Sequence, residues 1–198
     1  AERSGCGWRG GAGRRPAGRF AAMVDEVRLE EHIHDVPDWP EPGVVFKDLT
    51  PLLADAAAFA SAVDRLADHF VGRGITKVLG IEARGFVVAA PVAYRLGAGF
   101  VPARKVGKLP RETQTEEYVL EYGTDRLEVH VDAIEPGEQV LIVDDVLATG
   151  GTAAAAVNLV EALGGEVAGL GFVIELGFLG GATRLGGHPH VSLVTYTT

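Results

Sequence analysis

Residues 140–152 read VLIVDDVLATGGT, and this stretch decides the architecture. Val140, Leu141, Ile142 and Val143 make a strand with no polar side, so both of its faces must be covered, as in a parallel sheet layered between helices. Asp144 and Asp145 stand at its carboxyl end. Ala148, Thr149, Gly150, Gly151 and Thr152 then turn into a helix predicted over 152–163. Ligands of open α/β sheets bind at that edge. The amides of a helix start, with the hydroxyls of Thr149 and Thr152, suit a phosphate. Asp144 and Asp145 repel phosphate but suit hydroxyl groups, or Mg²⁺ with its waters. A phosphate on the loop and a diol beside the acids describe a ribose 5-phosphate. No Lys follows the glycines as a Walker A loop demands, and GxGxxG is absent. If the loop is exposed, a larger residue at Gly150 should cost ligand affinity but little stability.

Outward from this stretch, apolar strands alternate with helices. Strands are expected at 77–81, 100–103, 167–174 and 191–196, and a mostly buried helix at 85–96. Asp55 is placed to cap a helix in which Phe59, Val63, Leu66 and Phe70 recur on one face. Upstream, 24–34 reads as a short amphipathic helix, and 35–43, with three prolines, as an irregular connector. One segment breaks the alternation: the basic, Gly/Pro-containing loop 104–114, then alternating apolar residues around Tyr118–Tyr122 and Leu127–Val131. This predicts an antiparallel ribbon inserted between two parallel strands and placed to act as a lid. The expected fold is thus α/β, a parallel sheet flanked by helices with an inserted ribbon.

The 198 residues carry 47% apolar and 23% charged side chains and a net charge of -9, so nucleic acid is not the default partner. The longest run without Asp, Glu, Lys or Arg is fifteen residues, too short for a membrane span. A single cysteine, Cys6, excludes an intramolecular disulfide or Cys-based zinc site and fits a reducing compartment. Residues 1–22 differ from the rest: Arg3, Arg9, Arg14, Arg15 and Arg19 face only Glu2, among six glycines. They are expected to be a disordered leader ahead of Met23, with one domain over 23–198. The six histidines are scattered, and none is assigned as a metal ligand.

The chain resembles the type I phosphoribosyltransferases, and most closely their adenine-using branch, through WPEPGVVFKDLTPLL, GIEARGF, ARKVGKLP, LEYG and VDDVLATGGT. The resemblance implies a cytoplasmic homodimer that makes AMP and pyrophosphate from adenine and 5-phosphoribosyl-1-pyrophosphate (PRPP) with Mg²⁺. It implies that backbone groups of Val45 and Lys47 read adenine, while Phe46 and Leu176 cover the ring. Arg84 would reach pyrophosphate or the base, and Arg104, Lys105 and Lys108 would neutralise pyrophosphate. Asp144 and Asp145 would hold the ribose hydroxyls, with water-mediated contact to the metal, and residues 148–152 the 5-phosphate. Glu121 resembles the lid carboxylate that handles the purine proton. Many relatives have Arg where Lys47 stands. A 6-oxopurine enzyme or a PRPP-sensing regulator remains open, although no lysine follows Lys108 to serve a 6-oxo group.

Overall fold

A computed structural model of the chain describes residues 27–120 and 123–198. The expected leader, Met23 and Glu121 lie outside these residues. Nine strands are described: β1 (His34–Pro37), β2 (Val45–Asp48), β3 (Lys77–Ile81), β4 (Gly99–Lys105), β5 (Thr113–Leu120), β6 (Gly123–His130), β7 (Gln139–Leu147), β8 (Glu166–Leu176) and β9 (His190–Tyr196). The α-helices among them are α1 (Thr50–Ala54), α2 (Ala56–Phe70), α3 (Arg84–Leu96) and α4 (Gly151–Ala162).

The main sheet has the order β5-β6-β4-β3-β7-β8-β9. From β4 to β9 every neighbouring pair is parallel, while β5 and β6 are antiparallel and join through β4 at Arg104↔Glu128 and Lys105↔Leu127. The inserted ribbon of the sequence reading is therefore present, and it continues the main sheet. Its far strand lies along α4, where Asn158 Nδ2 donates to Glu116 Oε1 at 2.8 Å.

The uninterrupted apolar run of β7 has the predicted cause. Leu141 and Val143 pack with α2 and α3 on one face, and Val140 and Ile142 with α4 on the other. Phe70 and Phe172 are among the largest fully buried side chains, one in each layer. Asp55 caps α2 as expected, its carboxylate accepting from the amides of Ala57 and Ala58.

The amino-terminal part departs from expectation. Within the described part of 24–34 the only helical turn is a 3₁₀ one, Leu29–His32, because Ile33 is already extended (φ -111°, ψ 121°) and His34 begins β1. The first residues of the expected connector form β1, which pairs antiparallel with β2 from His34↔Asp48 to Pro37↔Val45. Pro37 is tolerated because it stands at the strand's end, where one ladder hydrogen bond is all that is lost.

Candidate active site

Between the carboxyl ends of β3, β7 and β8 and the β1–β2 ribbon lies a cleft of about 610 Å³. Its lining unites segments far apart in the chain: Val45, Phe46 and Lys47 of β2, residues 81–84, Tyr118, Asp144 and Asp145, Ala148 and Thr152, and Leu176.

Asp144 and Asp145 end the buried run of β7 side by side. Asp145 is 6% exposed, and its Oδ2 lies 2.5 Å from Arg84 Nε, yet that oxygen has no hydrogen bond of acceptable geometry. Burial, together with the neighbouring Asp145 carboxylate, pushes Asp144 well above the ordinary carboxylate range. Arg84 opens α3, and its guanidinium carbon lies 5.1 Å from the centre of the Phe46 ring. Trp39 packs edge-on against that ring at 4.4 Å. A train of contacts thus runs from the β1–β2 ribbon through Phe46 and Arg84 to the acid pair.

The loop after β7 is held from behind. Gly150 has φ +79° and caps α4 without any side-chain hydrogen bond, leaving the first amides of a twelve-residue helix for another acceptor. Gly150 is buried, and a Cβ there would collide with the carbonyl of Gly181. This corrects the expectation for an exposed loop: a side chain at Gly150 costs stability as well as ligand affinity. Tyr118 crosses from the ribbon, its hydroxyl donating to Asp125 Oδ2 at 3.3 Å and meeting the side chain of Thr152.

Of the predicted cations Arg84 lines the cleft, while Arg104, Lys105 and Lys108 stand behind Glu82, which does. Arg104 Nη2 and Lys108 Nζ donate to one oxygen of Glu82, at 3.0 and 2.8 Å, and the Lys105 amide donates to the other at 2.9 Å. The Lys105 ammonium pairs with Asp125 at 2.8 Å. Burial acts to raise the Glu82 pKa, but these donors outweigh it and bring it down to about 2. Arg104 and Lys108, and the main chain of Lys105, therefore meet the site through Glu82, the first residue of the segment 82–85 that by resemblance is expected to be the pyrophosphate loop. The side chain of Lys47 also turns aside, its Nζ 2.6 Å from Asp35 Oδ1 and 4.0 Å above the Tyr196 ring. Its main chain remains at the cleft. Sequence reasoning also missed Tyr118 and Gly181; alternation along β5 was the available signal for the first.

Strand-end carboxylates, a glycine-opened helix start and the apolar side chains of Phe46 and Leu176 thus share one cleft. Residues 47–178 match the phosphoribosyl transferase domain family. The adenine phosphoribosyltransferase of Acidothermus cellulolyticus is 62% identical over 154 residues, 78% of this chain and 87% of that protein. The one from Thermobifida fusca is 59% identical over 157 residues, 79% of this chain and 89% of its own length. Among solved structures, the Rhodothermus marinus adenine phosphoribosyltransferase aligns with a TM-score of 0.82 at 50% identity, covering 89% of this chain and 99% of that one. The Saccharomyces cerevisiae enzyme, complexed with an imino-altritol bisphosphate and adenine, aligns with a TM-score of 0.80 at 40% identity, covering 87% and 99%. The chain belongs to the phosphoribosyltransferase family and, within it, to the adenine phosphoribosyltransferases.

Proposed function

We propose that the protein transfers the 5-phosphoribosyl group of PRPP to N9 of adenine, giving AMP and pyrophosphate, a reaction of purine salvage. The observation that carries this reading is the meeting, in one cleft, of the Asp144–Asp145 pair, the uncapped start of α4 and the Phe46–Leu176 slot.

Each part has a role that its chemistry suits. The carboxylates of Asp144 and Asp145 accept hydrogen bonds from the ribose hydroxyls, which gives Asp145 Oδ2 the hydrogen-bond donor it lacks. Residues 148–152 take the 5-phosphate on main-chain amides and threonine hydroxyls. Phe46 and Leu176 sandwich adenine, and backbone groups of Val45 and Lys47 read its edge, since the Lys47 ammonium is engaged elsewhere. Arg84 exchanges Asp145 for the pyrophosphate, and Arg104, Lys105 and Lys108 add positive charge at the same end. Glu121 is assigned the proton of the purine. Preorganised charge of this kind is usually the largest catalytic contribution.

Mg²⁺ suits the donor set. Asp144 and Asp145 are two adjoining hard carboxylates at the cleft, of the kind that suits this ion, although Asp145 Oδ2 is paired with Arg84 and the described residues include no cluster of three ligands able to hold a metal alone. Asp144 and Asp145 would reach it through water, with PRPP oxygens completing the shell. When bound it neutralises charge on the leaving pyrophosphate.

We assign the protein to the cytoplasm, which its single cysteine suits, and to a homodimer. No described helix is long and apolar enough to cross a membrane. Val87 and Tyr94, seven residues apart on α3 and the latter 86% exposed, offer an apolar face for a second copy. Sedimentation of wild type and Tyr94→Glu tests that face, the variant being expected as monomer.

The activity itself is tested by a screen of purine bases with PRPP and Mg²⁺. Adenine is expected to be used strongly. A 6-oxopurine reverses the hydrogen-bond pattern at the base edge, which costs about 1–3 kcal/mol per unpaired buried group. Comparable turnover of guanine or xanthine would favour the 6-oxopurine reading, and no turnover with any base the sensor reading.

A further inference from the structure

We propose that Glu82 is a positioning residue for the leaving group: it holds Arg104 and Lys108 in the arrangement that receives pyrophosphate. This rests on the pyrophosphate role proposed above for those cations. Glu82 directly follows β3, lines the cleft, and its side chain is only 9% exposed. Its Oε1 gathers Arg104 and Lys108 and its Oε2 takes the Lys105 amide, while Arg104 Nη1 donates to the Lys108 carbonyl at 3.2 Å. Glu82 therefore fixes both cations and the main chain between them. From the other side Glu128, 4% exposed, accepts from the amides of Lys108 and Leu109 at 3.0 and 2.9 Å. Two carboxylates, Glu82 half-buried and Glu128 buried, thus clamp one loop.

A carboxylate serving only as a counter-charge has no need of a main-chain donor. The contact with Lys105 N–H shows what Glu82 does to the loop: it sets its path. Donors remain for an anion, since an ammonium has three N–H groups and a guanidinium five. Repulsion between Glu82 and pyrophosphate is weak beside this gain, because two cations already neutralise the carboxylate. Its low pKa keeps it ionised throughout the working range.

The test is calorimetric titration of wild type, Glu82→Gln, Glu82→Asp and Lys108→Ala with magnesium pyrophosphate and, separately, with AMP. Glu82→Gln is expected to weaken pyrophosphate about tenfold or more, the size of one lost charge-assisted contact, and to leave AMP unchanged. In steady state the KM for PRPP rises while the KM for adenine stays flat. Glu82→Asp keeps the charge on a shorter stem and is expected to recover part of the loss; it carries the same comparison if the Gln variant does not fold. Unchanged or tighter pyrophosphate binding in Glu82→Gln, with Lys108→Ala weakened, overturns the proposal and leaves a plain counter-charge. Equal losses of AMP and pyrophosphate overturn it too, as general disruption of the site. If Lys108→Ala binds pyrophosphate normally, the role of the cations falls first, and the proposal with it.

Discussion

Gly85 and Asp144 stand so close that a methyl group does not fit between them. A Cβ on Gly85 would fall 2.5 Å from Asp144 Oδ1 and 3.2 Å from its Cα. The first turn of α3 is thereby pressed onto the end of β7, which fixes where the Asp144 carboxylate points. Gly85→Ala must displace the one or the other. A misplacement of about 1 Å in a reacting constellation costs on the order of 10²-fold, so kcat/KM for PRPP is expected to fall by about that factor. Steady-state kinetics, with a melting curve to confirm folding, reads the outcome; normal kinetics would remove Asp144 from the site.

Arg84 Nε stands 2.5 Å from Asp145 Oδ2, and the guanidinium carbon lies 5.1 Å from the centre of the Phe46 ring. Both contacts need a guanidinium, planar and delocalised, so Lys is a poor substitute. Arg84→Ala is expected to lower kcat/KM for PRPP about 10- to 100-fold, the worth of a charge-assisted contact. Arg84→Lys should recover little of it. Full recovery by lysine would reduce Arg84 to a simple positive charge.

Glu121, proposed to handle the purine proton, is tested by kcat. General acid–base help is worth about 10²–10⁴-fold. Glu121→Gln preserves size and polarity, so kcat should drop within that range with PRPP affinity nearly unchanged. A normal kcat would leave the proton to solvent or main chain.

Glu82 also predicts a pH dependence of stability. Burial tends to raise its pKa, but hydrogen bonds from Lys108, Arg104 and the Lys105 amide bring it from 4.5 to about 2. The folded value lies below the unfolded one, so the ionised carboxylate stabilises the fold above pH 4.5, and this contribution fades as pH falls towards 2. The Tm difference between wild type and Glu82→Gln should be widest above pH 4.5 and close towards pH 2. Thermal melts between pH 2 and 6 measure it; a difference independent of pH would show that charge is not what Glu82 contributes.

Much of the architecture is legible without coordinates because it is local. The apolar run of β7 has no polar face, and the structure buries Leu141 and Ile142 in opposite layers. Asp55 ahead of an apolar 3.6-residue period becomes an N-cap, and the glycines after Asp144 and Asp145 open α4. The β1–β2 ribbon was illegible for the opposite reason. His34–Pro37 has no strand pattern of its own and becomes a strand only by meeting Val45–Asp48.

Periodicity and the chemistry of neighbouring residues are enough to specify the layered α/β fold, the acid pair at a strand end and the phosphate-suited helix start. Tertiary structure alone decided how the charges pair. Among 18 cations and 27 acids, nothing in the order of residues selects Glu82 for Arg104 and Lys108, Asp145 for Arg84 or Asp35 for Lys47. It also set Tyr118 at the cleft and Gly181 behind Gly150. Periodicity specifies which face a side chain occupies. The partner it finds there depends on which distant strand end or loop the packed backbone brings within hydrogen-bonding reach.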